Sequence, residues 1–481
     1  MTSARPLLLG MLIAVGTLSA PPALGVDFEI QSRTIGDIYA HLRADDQLGD
    51  DPIARQRIHQ LLGFNAWDLM GDGTNSLVFV SNMRVDSDLG ILAAELDNNG
   101  QLGRHDVSLM YGYLEARDIG GWLDLKLGRQ YEVDAIDMLL FDGLKVRAET
   151  PWYFAVELLG GLEAINGTGT INQQALDGSI EGNPNPCFDD VCTGYDVEDP
   201  MPRMVIGLGL SLIDLTYTQL DLKFREIVWI GPGVGSDGSE QGYGDNVSQM
   251  RVGGSFSQRI TEGLFVHGGA SYDMYLSLLN EVRGGVRYRP IHMVEVEAGY
   301  TYVIPTFDAN SIWNFFSWRP INRIEERARF FFGDDLWIHA GAYQSLYSAD
   351  DTVTLEDVDA EVMDLGMSAG ATWIVGRQAS VRTDITSQRG FGGDQTFVDL
   401  GGSYTFMDGK LGLDARALLI MFESDEQSNL HLNGTMFGGQ LGAHWEFHDD
   451  MRLNLLLEEA TTEVRPVWLR VMAVVDIRKW M

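Results

Sequence analysis

Arginine and glutamate recur at every second position in several stretches of this chain. Glu281, Arg283, Arg287 and Arg289 share one parity, and Glu295 and Glu297 share another beyond Arg289-Pro290-Ile291. Arg323, Glu325, Arg327 and Arg329 repeat the pattern. Later come Arg382 with Asp384, Asp414 with Arg416, and Arg470 with Asp476 and Arg478. On an extended chain a spacing of two places such groups on one face. A row of guanidinium groups there attracts anions. The same alternation also supports cross-strand ion pairs that only stiffen a wall. Both readings stay open, and across the turn Arg287 is expected near Glu295.

Catalytic patterns are weak. No His-Glu-x-x-His or phosphate-binding loop occurs, and Cys-x-x-Cys-His is absent. His267, Ser271 and Asp273 share a parity, but i, i+2 groups on one strand lie about 7 Å apart, too far for a relay. The expectation is no enzyme, no cofactor and no bound metal. Cys187 and Cys192, in Pro-Asn-Pro-Cys-Phe-Asp-Asp-Val-Cys, are expected to form a disulfide, because an exported C-x₄-C pair without further thiols is a poor metal site. Acidic clusters at 177–200 and 350–364 carry no Lys or Arg. Divalent cations bridging to lipopolysaccharide could use them, but without a calcium-loop spacing a solvated loop is the simpler reading.

The elements that must carry these groups are strands. Leu411, Leu413, Ala415, Ala417, Leu419 and Met421 alternate with Gly412, Asp414 and Arg416; Leu469, Val471, Ala473, Val475 and Ile477 alternate with Arg470, Met472 and Asp476. Period two means strand. The charged parity opposes Val282, Val286, Ile324 and Ala328, which suit lipid. A charge facing lipid at mid-depth costs roughly 2–4 kcal/mol, so the arginines are expected to line a lumen. Glu326 breaks the apolar run on its own face. Short turns such as Thr150-Pro151 and Asp408-Gly409 alternate with long polar stretches such as 165–200 and 305–319. Roughly 22 candidate strands follow, and an even number from about 18 to 22 is expected for an antiparallel transmembrane β-barrel with short periplasmic turns and long extracellular loops. Trp152, Trp373 and Trp445 stand beside short turns on the apolar face, where an interfacial girdle belongs.

Composition agrees. The chain has 481 residues, 55 of them Gly and only 14 Pro, with 45% hydrophobic residues, and a net charge of −35. The acidity argues against nucleic-acid partners. Residues 1–25, with Arg5, the apolar Leu7–Val15 and Ala23-Leu24-Gly25, form a secretory signal peptide; 26–481 is then one barrel domain. The final Asp476-Ile477-Arg478-Lys479-Trp480-Met481 resembles the terminal strand that the barrel-assembly machinery reads, with its aromatic one residue early.

The stretch from His105 to Glu163 resembles the alginate export porin family. The matching residues are Leu125-Lys126-Leu127-Gly128-Arg129-Gln130, then Phe141-Asp142-Gly143-Leu144-Lys145-Val146 and Glu149-Thr150-Pro151-Trp152, with an Asp-rich segment between the first two. The resemblance implies an 18-stranded monomeric barrel with an Arg-rich lumen, exporting an acidic polysaccharide with periplasmic partners. The expectation is therefore a porin-like channel of the bacterial outer membrane, in contact with lipid and lipopolysaccharide, for polysaccharide export or passage of small anionic solutes. The alternative is a structural barrel anchoring a secretion, motility or adhesion complex.

Overall fold

The structure is a computed structural model. It describes residues 26–41, 53–70, 76–89, 105–164, 203–213, 215–230, 233–234, 240–241, 247–304, 320–347, 362–390, 393–423, 434–462 and 468–480. The signal segment, Cys187 and Cys192, and the acidic clusters apart from 362–364 lie outside the described residues.

The strands in chain order are β1 Asp27–His41, β2 Ile53–Trp67, β3 Leu77–Asp88, β4 His105–Ile119, β5 Leu123–Val133, β6 Met138–Glu149, β7 Phe154–Glu163 and β8 Arg203–Leu212. Next come β9 Thr218–Trp229, β10 Gly233–Val234, β11 Glu240–Gln241, β12 Val247–Thr261, β13 Leu264–Asp273, β14 Leu278–Ile291, β15 Val294–Val303 and β16 Ile321–Phe332. The last are β17 Leu336–Tyr347, β18 Val362–Val375, β19 Ala379–Arg389, β20 Asp394–Phe406, β21 Leu411–Glu423, β22 Gly434–His448, β23 Met451–Thr462 and β24 Trp468–Trp480. All but β10 and β11 join one antiparallel sheet of 22 strands, and β24 pairs with β1 to close it. The count lies within the range expected from alternation and exceeds the 18 that the family resemblance implied. Every alternating segment joins the wall. The β10–β11 hairpin forms a separate sheet within the β9–β12 connection.

Connections sort by rim. One rim carries short turns, such as 150–153, 292–293 and 333–335; the other carries the long connections, 42–52, 164–202, 304–320 and 348–361 among them. The outward face is mostly apolar, with Ile324 54% exposed, Leu400 52% and Leu441 59%, and it is interrupted by the exposed Glu326. Such a belt is unfavourable against water and suits hydrocarbon, while closure leaves no unpaired edge for lipid to meet. Trp152, Trp373 and Trp445 are exposed near the short-turn rim, joined by Trp122, Phe332 and the adjacent pairs Tyr404–Phe406 and Trp445–Phe447.

The Leu125–Gln130 and Phe141–Val146 segments build wall. Gly128 and Gly143 face each other in register, Gly128 at φ +130°. The buried Gln130 side chain donates to the Gly143 carbonyl at 3.2 Å. Arg129 holds Asp142 through two hydrogen bonds of 2.7 Å, on the same face as the exposed Leu127 and Tyr131. A paired charge there avoids most of the cost of a lone one.

Candidate functional site: the concave wall

The turn between β5 and β6 identifies the inner face. Asp137 contacts Arg225 on β9 and Arg251 on β12, although β7, β8 and β9 separate β6 from β12 in the wall. Only the concave side of a closed sheet brings such strands together. Register then carries this face around the barrel. Arg251 faces Asp273; Ser255 faces Gly269, which faces Arg283. Arg287 faces Glu297, which faces Arg327, and Glu295 faces Arg329. Arg323 faces Thr301, and Glu325 faces Gly299. Arg329 faces His339, His339 faces Gly370, and Gly370 faces Asp384. Arg382 and Arg416 both face Gly401, and Asp414 faces Ser403.

The ladder is mostly paired. Arg287 reaches Glu297 at 3.3 Å, and Glu295 is taken by Arg329 at 2.8 Å. The expected Arg287–Glu295 contact is thus replaced, because the chain turns at His292-Met293, beyond Arg289-Pro290-Ile291, and an irregularity between Tyr288 and Ile291 then sets Glu297 opposite Arg287. Arg289 falls within that irregularity; it donates to the His292 carbonyl at 2.7 Å and lies over Phe331. Arg283 is 3.6 Å from Glu281, and Arg323, over the Tyr343 ring at 3.9 Å, is 3.8 Å from Glu325. Arg382 and Arg416 converge on Asp399 at 3.1 and 2.7 Å, and Arg382 also meets Asp384 at 3.3 Å. Among the described residues Arg327 has no ion-pair partner. Such a wall is close to neutral in sum, with surplus positive charge confined to a few points.

The trio His267, Ser271 and Asp273 offers no relay. Asp273 accepts from Arg251 at 3.1 Å, and the His267 ring stacks on Phe265. His267 instead lines a recess of about 330 Å³ with Gln219, Asp221, Ser255, Ser257 and Arg283.

A second inner region escaped the sequence reading. From β5 to β12 the concave face is packed. Leu139, Phe141, Val205 and Ile227 form a buried cluster with Leu159 against it. Toward the short-turn rim Lys145 bonds Glu132 and meets Glu157 at 3.0 Å, while Lys223 also holds Glu157. Gly143 and Gly161 let β6 and β7 approach closely: a Cβ on Gly161 would stand 2.3 Å from the Asp142 carbonyl oxygen. The β5–β6 turn caps the region. Asp134 accepts hydrogen bonds from the backbone nitrogens of Ile136 (2.8 Å) and Asp137 (3.3 Å), and Ile136 is buried against Gly253. One sequence signal was available: Met138-Leu139-Leu140-Phe141 and Met204-Val205-Ile206 are apolar on both parities, as in strands covered on both faces.

The closing seam is tied on the same face. Arg470 binds Asp37 twice, at 2.8 and 2.9 Å, and Glu458 at 3.3 Å. Arg33 holds Asp476, and Arg478 holds the buried Glu29.

A scan of protein-family models and a search of curated proteins found no match. The resemblance of His105–Glu163 therefore rests on its short motifs. Among solved structures, the chain is similar to the outer membrane protein opdK from Pseudomonas aeruginosa, with 7% identity, 95% of this chain and 99% of that chain covered, and a TM-score of 0.43. OccAB2 of Acinetobacter baumannii gives 9% identity, 95% and 98% coverage and a TM-score of 0.43. A BenF-like porin from Pseudomonas fluorescens gives 8%, 95% and 99%, and 0.44. At such identities and scores, what this barrel carries has to be argued from its own inner wall.

Proposed function

We propose that this chain is a channel of the bacterial outer membrane that passes small anionic solutes or strands of an acidic polysaccharide. The observation that carries it is the concave Arg–carboxylate ladder running from β14 to β21, with Arg327 unpaired among the described residues, behind a mostly apolar outer belt. In a confined lumen a low-dielectric wall focuses the field of such residues, so local anion concentration rises. The neighbouring carboxylates cancel part of it, which makes the preference modest and salt-dependent. Arg283, Arg287, Arg289, Arg323, Arg327, Arg329, Arg382 and Arg416, with Glu295, Glu297, Glu325, Asp384 and Asp414, are the proposed pore lining.

In this reading the short-turn rim faces the periplasm, where export partners would dock, and the long connections face outward beside lipopolysaccharide. Residues 1–25 direct export and are removed, Cys187 and Cys192 close a disulfide, and the assembly machinery reads the terminal strand. Planar-bilayer recording tests the proposal. Wild-type protein should conduct with a weak anion preference. Arg327→Ala/Arg329→Ala should move the reversal potential toward cations, because Glu295 then loses its partner. Silence at every salt concentration would replace the channel with the structural barrel, a reading that the packed β5–β12 face favours.

A further inference from the structure

Arg225 and Arg251 stand directly opposite each other in the β9–β12 register. Their side chains are only 3% and 9% exposed. Like charges placed face to face repel, and burial sharpens the repulsion. Arg251 has Asp273 at 3.1 Å from its own neighbouring strand. Arg225 has Gln249, which is neutral, and Asp137, its one carboxylate partner among the described residues. Even so, among the described residues Arg225 Nη1 is buried without a hydrogen-bond partner. The two guanidinium groups thus form a seat in which Arg225 has a donor that no described residue fills.

Asp137 reaches that seat from the β5–β6 turn, across the concave side. Among the described residues the turn has few other ties to the wall. Ile136 rests in the space that a side chain at position 253 would occupy, and Asp134 orders the turn internally. If Asp137 left, Arg225 would be buried without a counter-charge, which is strongly unfavourable. Release of the turn is therefore coupled to arrival of another anion. The group the seat accepts is a carboxylate, since that is what occupies it from within the chain.

We propose that the Asp134–Asp137 turn is an autoinhibitory latch: Asp137 fills an anion seat built by Arg225 and Arg251, and a carboxylate solute that takes the seat frees the turn and widens the lumen. The proposal rests on the channel reading above and adds regulation to it.

Full-length protein in planar bilayers, with succinate as the probe, tests it. In 1 M KCl, where the Debye length is about 3 Å and charge effects are screened, Asp137→Ala should conduct more than wild type. At lower salt, succinate should raise the wild-type conductance toward that of Asp137→Ala and leave the variant unchanged. A tether gives a second measurement that retains Asp137. In a Cys187→Ser/Cys192→Ser background, Ala135→Cys with Gly253→Cys should abolish the succinate response until reductant is added; a Cβ at 253 would stand 3.2 Å from the Ala135 backbone. Equal conductance of wild type and Asp137→Ala in 1 M KCl, or an equal succinate effect on tethered and untethered protein, overturns the latch and leaves the channel intact. A silent wild type with a conducting Asp137→Ala supports a latch that is closed at rest. Silence in both removes the channel reading and the latch with it.

Discussion

The barrel closes where no turn joins the chain, between β1 and β24, and Arg470 is the residue whose loss should be felt there first. Its guanidinium makes two hydrogen bonds to Asp37, at 2.8 and 2.9 Å, and one to Glu458 at 3.3 Å. The Asp37 side chain is only 7% exposed, whereas that of Arg470 is 34% exposed. Arg470→Ala would leave a carboxylate buried on the seam with no counter-charge. Breaking a fully buried pair costs about 3–5 kcal/mol, and a buried group left unsatisfied about 1–3 kcal/mol. Water reaches the arginine side of this pair, so the expected loss is about 2–3 kcal/mol, or roughly 30- to 150-fold in the folding equilibrium. Urea unfolding of protein refolded into vesicles, read by the heat-modifiable mobility of the folded barrel, measures it. Arg470→Ala/Asp37→Ala should be less destabilised than the sum of the two single variants, because the stranded charge has gone. An unchanged midpoint for Arg470→Ala, or strict additivity in the double variant, would refute the assignment of the seam to this pair.

Three further outcomes are expected. Gly161→Ala should prevent assembly or cost more than about 3 kcal/mol, because the new Cβ meets backbone atoms of Asp142 and Gly143 at 2.3 and 2.6 Å; Gly439→Ala, with nothing within 4 Å, should assemble normally, and equal folded yields would contradict the close approach. A tag placed within 177–200 should be accessible on intact cells while one at Asp408-Gly409 is protected, and equal protection would contradict the proposed orientation. Protein taken from the cell envelope should show no alkylation of Cys187 or Cys192 before reduction; labelling of both would exclude the disulfide.

The outer half of this structure was legible because its rule is local. Each strand must present an apolar residue at every second position, and Leu413, Ala415, Ala417, Leu419 and Met421 do so without reference to any other strand. The ladder was legible for the same reason, since a repeated row of charges is too costly against lipid. Its partners were less so. The irregularity between Tyr288 and Ile291 moves Glu297 opposite Arg287, and nothing in Tyr288-Arg289-Pro290-Ile291 states by how much the register slips. The packed region was not read at all. Asp137 meets Arg251, 114 residues away, only because the wall is closed and the turn folds inward. The cue that did exist, apolar residues on both parities near Leu139 and Val205, looks like a weakened strand signal unless an inner core is already expected.

The two halves of the inner face solve different problems. Barrel diameter grows with strand number, and at 22 strands the interior is too wide for side chains alone to fill. An empty interior needs a polar wall; a narrowed one needs a core. From β5 to β12 the chain builds the core, with Phe141 and Val205 fully buried and Glu157 shared between Lys145 and Lys223. From β14 to β21 it builds the wall, where Arg287, Arg382 and Arg416 remain between 44% and 51% exposed although each is paired. Buried pairs hold shape, because separating them strands a charge. Exposed pairs contribute little to stability, and their charges stay in contact with solvent. The Asp137 contact stands at the border between the two regions. It is the point where the packed side reaches across the interior, from the β5–β6 turn to β9 and β12, while the ladder from β14 to β21 takes no part in it.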